Sequence, residues 1–178
     1  MRDVTLFIAM SLDGYAADAE GGVDWLRGQE PGRDDMSSYH GFIKGVDTVV
    51  MGWNTYHQIA AQLSPGTWFY KGLTSYVLTR RRLPSTPEIR FTSEDACALI
   101  RRLRAGTGRE IWICGGPAVI RPLVRADLID RFHISVIPTL LGGGLRLFGD
   151  LGGEHRLRLI ETRSYNGITD LVYRRRDS

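Results

Sequence analysis

Residues 110–124, EIWICGGPAVIRPLV, restrict this chain more than any other stretch. The apolar, β-forming run 111–114 reads as a buried strand and Gly115-Gly116 as a turn, while Ala118, Val119, Leu123 and Val124 recur at helical spacing. Proline has no N–H to donate, and the first helical turn offers no partner for one, so Pro117 suits the helix start. A buried strand that runs straight into a helix needs a sheet covered by helices, which is the α/β plan. The glycines carry no Cβ. Either the turn simply packs tightly, or an anion approaches the backbone N–H groups at the positive end of the helix.

The same arrangement recurs along the chain. Residues 4–10 form a near-continuous apolar run, as expected for a central strand covered on both faces. Ser11-Leu12-Asp13-Gly14 then turns, and Tyr15-Ala16-Ala17 returns to extended backbone. A loop leaving the end of a central strand is a usual place for a ligand. Residues 47–51 are the next buried strand and meet Gly52, after which Asn54 or Thr55 is available to cap a helix. Residues 75–79 are a third strand, with Arg80-Arg81-Arg82 just past its end; these guanidinium groups either face solvent or grip a phosphate.

Between these junctions, Trp25 brings a large aromatic back to the core or over a ligand, with core packing the simpler reading. Residues 28–32 read as a mobile loop. Asp34 and Asp35 open an amphipathic helix through Met36, Tyr39, Phe42 and Ile43, as caps or as favourable charges in its first turn. Ser93-Glu94-Asp95 opens another helix, which closes at Gly106. Residues 129–137 alternate incompletely and stop at Pro138, residues 140–145 form a glycine-rich loop, and the last two strands flank Asn166-Gly167, a hairpin signal.

Composition narrows the function classes. With 178 residues, 43% of them hydrophobic, the chain fits one domain with a sizeable core. The net charge of +3 is spread along the chain apart from two short arginine runs, which argues against a nucleic-acid module. No apolar run approaches the ~18 residues of a membrane span, and a basic leader is absent, so a soluble, cytoplasmic protein is expected. The two cysteines and four histidines show neither disulfide nor metal-ligand spacing, and no metal is expected. Ser/His/Asp, GxGxxG and Walker patterns are also missing.

Taken in order, the first strand with Ser11-Leu12-Asp13-Gly14-Tyr15-Ala16, the run Asp47-Thr48-Val49-Val50-Met51-Gly52 with Thr55-Tyr56, then Val77-Leu78-Thr79-Arg80, Ile113-Cys114-Gly115-Gly116-Pro117, and Gly142-Gly143-Gly144 before Leu147-Phe148 resemble the dihydrofolate reductase-like superfamily. The resemblance is closest to the pyrimidine-reductase domain of the bifunctional riboflavin-biosynthesis deaminase/reductase and its stand-alone relatives. It implies a single three-layer α/β domain over residues 1–178, with a mixed, mostly parallel sheet, helices on both faces and an antiparallel C-terminal hairpin.

The resemblance also implies NADPH as cofactor and hydride transfer to a C=N or C=O of a small heterocyclic substrate. Cofactor contacts carry over to Ala9, to Gly52, Asn54 and Thr55, to Leu78, Thr79, Arg80 and Arg81 around the adenosine 2′-phosphate, and to Gly115, Gly116, Pro117, Ala118 and Val119 under the pyrophosphate. Ser11, Leu12, Gly14, Tyr15 and Trp25 fall to the substrate. Asp35, then Asp13, is the carboxylate expected to orient ring nitrogens or relay a proton. Many relatives carry arginine where this chain has Trp53. The alternatives are a true dihydrofolate reductase and a non-catalytic nucleotide-, flavin- or drug-binding protein. Relatives also imply a homodimer joined through C-terminal strands, with no nucleic-acid or membrane partner.

Overall fold

The computed structural model describes residues 1–33 and 35–176. Strand β1 (Val4–Ser11) is followed by the short β2 (Tyr15–Ala17), helix α1 (Ser37–Ile43), β3 (Val46–Gly52), α2 (Trp53–Gln58), β4 (Thr74–Leu78) and β5 (Ile89–Thr92). Then come α3 (Ala96–Ala105), β6 (Glu110–Gly115), α4 (Pro117–Arg125), β7 (Arg131–Ile137), the two-residue β8 (Leu145–Arg146), β9 (Leu157–Tyr165) and β10 (Ile168–Arg175). A π-helical turn, Ile59–Leu63, continues α2.

Eight strands form one sheet in the order β5-β4-β3-β6-β1-β7-β10-β9. The pairs from β5 to β7 are parallel; β7–β10 and β10–β9 are antiparallel. All the parallel strands therefore end on one edge, and the loops and helix starts that leave them share it. That edge is where an α/β sheet presents ligands.

Alternating side chains divide the core between the two faces. Leu6, Val50, Ile111 and Ile113 are fully buried on one face against Leu99 and Ile100 of α3 and Ile120 and Leu123 of α4. Val49, Met51, Val77 and Trp112 lie on the other with Tyr70, where Phe7, Phe42 and Tyr56 pack against them. The α/β class, the mostly parallel sheet, the antiparallel C-terminal strands and the helices thus stand as expected.

Local details depart from the sequence reading. The Asp95 carboxylate does cap α3, accepting from the amides of Cys97 and Ala98 at 2.9 and 3.0 Å. By contrast α2 is capped by the backbone of Gly52, and neither Asn54 nor Thr55 supplies a side-chain cap. Helix α1 starts only at Ser37 with no acidic residue in its first turn. Asp35 precedes it and accepts the Ser37 amide at 2.8 Å, closing a local turn. Asp34 lies outside the described residues. The glycine-rich loop is not wholly irregular, because Leu145 and Arg146 pair with Ala17 and Tyr15. At the hairpin, Asn166 and Gly167 have φ of 47° and 76°, the left-handed pair that a two-residue turn requires.

Candidate functional site

Two helix starts meet at the ligand edge of the sheet. Gly52 ends β3 and caps α2, and Gly116 follows β6 and caps α4. A Cβ added at Gly52 would lie 3.4 Å from Val119 Cγ2 and 3.9 Å from the Gly116 nitrogen, so the two caps are neighbours with a bare surface between them. Gly115 has φ of 140°, a conformation that favours glycine. Thr55 Oγ1 stands 3.5 Å from the Cβ position of both Gly115 and Gly116. Both readings of the glycine pair have a footing: the turn packs on Thr55 and Ile8, and the two helix starts frame a small cradle beside the Thr55 hydroxyl, in which the Val119 and Ile120 amides already donate to the Gly116 carbonyl at 2.9 and 3.1 Å.

Beside this cradle, the loop leaving β4 borders a cleft of about 680 Å³ lined by Thr79, Arg80, Arg81, Arg82 and, across from them, Phe91 to Ser93. The Arg81 amide donates to Thr79 Oγ1 at 3.1 Å, which folds the loop back on the strand end. The Arg81 guanidinium carbon lies 4.7 Å from the centroid of the Trp53 ring. The expected cofactor residues from β3, β4 and β6 are therefore brought together along one side of the edge.

On the far side of β1, a polar cluster occupies the face covered by α1. Ala9 is paired with Ser135, and Ser135 with Asp170. Asp170 is 1% exposed, and its Oδ1 accepts the Ser135 hydroxyl at 2.6 Å and the Tyr165 hydroxyl at a long 3.4 Å. His133 Nε2 stands 3.5 Å from Asp170 Oδ2, too far for a full hydrogen bond, and both atoms are buried without another partner. Burial works to raise the Asp170 pKa, but the nearby His133 ring and the Ser135 and Ser38 hydroxyls outweigh it and leave it lowered. Burial, with Asp170 alongside, pushes the Tyr165 hydroxyl up to about 12.

At the outer rim, Arg163 Nη2 donates to Asp35 Oδ2 at 2.5 Å, and Arg163 Nη1 donates to the hydroxyls of Ser37 and Ser38. The Ser37 hydroxyl and amide, and then Arg163, hold Asp35 below the usual carboxylate range. Residues 28–30, read from sequence as mobile, are tied down: Gln29 and Glu30 donate their amides to Asn166 O and Oδ1, both at 2.9 Å. Trp25 does not reach either core cluster. It is half-buried in its own loop, with the indole donating to the Gly22 carbonyl at 3.1 Å.

Two expected site residues have other work. Asp13 Oδ1 accepts the Ser11 hydroxyl at 2.6 Å and the Leu141 amide at 3.1 Å, and Oδ2 accepts the Gly142 amide at 2.7 Å. Ser11 and those amides hold Asp13 at about 2, so it carries no proton near neutrality and fastens the glycine-rich loop to the end of β1. The Ser11 hydroxyl is likewise committed, because it also accepts the Tyr15 amide at 2.9 Å. Leu12, Gly14 and Tyr15 border this fastened turn, and Leu12 is 62% exposed. Ser135, Arg163, Tyr165 and Asp170 were not anticipated. The one signal available was a carboxylate at an inward position of an alternating strand, Asp170 two residues before Val172.

A class of proteins fits this frame, in which a mostly parallel sheet carries a glycine-lined cradle between two helix starts. The RibD C-terminal domain model matches residues 2–173, and the chain belongs to that family. It is 38% identical over 173 residues to the uncharacterized protein YwjB of Bacillus subtilis, covering 97% of each chain. The crystal structure of a Shewanella sp. PV-4 protein provisionally assigned to riboflavin biosynthesis superposes with a TM-score of 0.83 at 29% identity, covering 98% of this chain and 99% of that one. A diaminohydroxyphosphoribosylaminopyrimidine deaminase/5-amino-6-(5-phosphoribosylamino)uracil reductase of Thermotoga maritima shares the fold, with a TM-score of 0.70 at 16% identity. This chain covers 56% of that longer one.

Proposed function

We propose that this protein is an NADPH-dependent reductase that adds hydride to a C=N or C=O of a small heterocyclic substrate, in the manner of a pyrimidine reductase. The observation that carries the proposal is the meeting of two glycine-capped helix starts beside an arginine-lined cleft, in a chain of the RibD C-terminal domain family. The cradle that a Cβ at Gly52 would fill fits a pyrophosphate. Gly52, Gly116 and the amide of Ala118 would hold it, with Thr55 alongside; the Val119 amide is taken by the Gly116 carbonyl at 2.9 Å, so Val119 would contribute only its side chain to the wall. Thr79, Arg80 and Arg81 would receive the 2′-phosphate, and guanidinium groups suit that dianion. Bound there, the nicotinamide supplies hydride; the chain supplies alignment.

Ala9 joins the two halves, because β1 lies between the cofactor strands and the polar cluster of Ser135 and Asp170. In the substrate half, Asp170 takes the Ser135 hydrogen and leaves that oxygen free to accept from a ring or exocyclic N–H. The Asp35–Arg163 pair holds the entrance to α1 in place. Asp13 is committed to the glycine-rich loop and Asp35 has a lowered pKa, so neither donates a proton, and the proton that completes reduction comes from solvent.

Titration with NADPH and, in parallel, NADH is the deciding experiment, followed by a turnover screen of ribosylaminopyrimidines, dihydrofolate and small carbonyls. Micromolar, NADPH-preferring binding with turnover of a ribosylaminopyrimidine is the expected result. Binding of neither nucleotide refutes the reading, and turnover confined to dihydrofolate moves the substrate class.

A further inference from the structure

We propose that Trp53 sets the nucleotide preference of the cleft by holding Arg81 in place for a 2′-phosphate, an inference that rests on the cofactor reading above. Arg80, Arg81 and Arg82 are all exposed, and the loop's arginines form none of the ion pairs found among the described residues. A long, unanchored side chain gives up rotamer freedom when it grips a ligand. Arg81 differs from its neighbours because its guanidinium lies over the Trp53 ring at 4.7 Å.

The platform itself is fixed. Trp53 is half-buried at the first position of α2, and its ring packs against Tyr56 at 5.5 Å and His57 at 5.6 Å between centroids. The Arg81 backbone is restrained from the other side by its bond to Thr79 Oγ1. An aromatic face attracts a guanidinium without neutralising it, and leaves its N–H edge available to phosphate oxygens. A carboxylate in the same place would restrain the arginine but cancel its charge. Trp53 is thus a positioning residue, acting on the phosphate through Arg81.

Calorimetric titration of the full chain with NADPH and with NADH tests this in the wild type, Trp53→Phe, Trp53→Ala, Arg81→Ala and the double variant Trp53→Ala/Arg81→Ala. Trp53→Ala should lower the NADPH-to-NADH affinity ratio by about two- to fivefold, the range expected for losing one cation–π contact. Trp53→Phe should keep most of the ratio. The double variant should match Arg81→Ala alone, since the tryptophan acts only through that arginine. The ratio is internally controlled, because a merely damaged fold weakens both nucleotides together. Equal losses for both nucleotides would show that the indole serves the shared part of the ligand, and would overturn the inference. So would an unchanged ratio in Trp53→Ala. A wild type that binds neither nucleotide overturns the cofactor reading itself, an outcome distinct from either of these.

Discussion

Replacing Gly52 with alanine separates the cofactor cradle from the stability of the fold. Gly52 has φ of −82° and ψ of 167°, extended backbone open to any residue. Its new Cβ would meet Val119 Cγ2 at 3.4 Å, an ordinary van der Waals contact. At a compatible position this change stabilises by about 0.4–1 kcal/mol through the unfolded chain, while alanine is the poorer helix N-cap by a similar amount. The melting temperature should therefore stay close to that of the wild type. The methyl group would nevertheless project beside the Gly116 nitrogen, 3.9 Å away, in the space assigned to the pyrophosphate. A hydrogen bond to a charged group is worth about 1.5–3 kcal/mol, so displacing a phosphate oxygen from one amide should weaken NADPH by about ten- to hundredfold.

Tryptophan-fluorescence titration with calorimetric melting measures both quantities on the same sample. Gly41→Ala is the matched control: it lies in α1, and nothing stands within 4 Å of its Cβ position. That variant should leave NADPH affinity unchanged. A folded Gly52→Ala protein whose NADPH affinity stays within about twofold of wild type would refute the placement of the phosphate between these helix caps, since the expected loss is at least tenfold.

Asp170→Asn keeps the shape of the side chain but removes the charge that accepts from Ser135. It should cost about 2 kcal/mol, roughly 4–8 °C in Tm, while NADPH affinity stays constant; an unchanged Tm would show that the cluster is not held by that charge. Asp13 has a folded pKa of about 2 against an ordinary 3.8, so its contribution is complete above about pH 4 and is lost as pH falls towards 2. Protection from hydrogen exchange at the Leu141 and Gly142 amides, taken relative to the intrinsic rate at each pH, should fall over that interval in the wild type, and should be low throughout it in Asp13→Ala. Strand β9 is an edge strand with Leu159 and Ile160 about half exposed, and we propose it as the dimer contact. Sedimentation should give a dimer for the wild type and a monomer for Ile160→Lys; a wild-type monomer at micromolar concentration would remove the proposal.

The legible parts of the fold were those written in local backbone chemistry. Gly115-Gly116-Pro117 specifies a turn and a helix start wherever it occurs, Asp95 caps the helix that follows it, and Asn166-Gly167 can hardly form anything but a tight hairpin. What stayed hidden depends on partners remote in sequence. Asp13 looked like a free loop carboxylate because its amide donors, on Leu141 and Gly142, are supplied by a distant loop. Ser135 and Asp170 join the site only because β7 and β10 are laid side by side next to β1. Strand β5 escaped notice because Ile89-Arg90-Phe91-Thr92 is short and only half apolar, following a proline-punctuated loop. Gln29 and Glu30 looked mobile because nothing local holds them; their anchor is Asn166.

The position of β1 has a consequence for the chain's birth. Strand β1 is made before every other strand of its sheet but sits near the middle of it, between β6 and β7, so Val4 waits for Ile111 on one side and Thr5 for Arg131 on the other. For roughly a hundred residues of synthesis, about 5–20 s at ordinary elongation rates, an apolar strand has neither neighbour. Strands β3 and β4 can pair meanwhile, so the nascent chain should carry a partial sheet on which β6 is laid before β1 is inserted. The edge of the sheet where the helix starts meet would then be completed late and all at once, and a nascent chain stalled before β7 would be a client for chaperones.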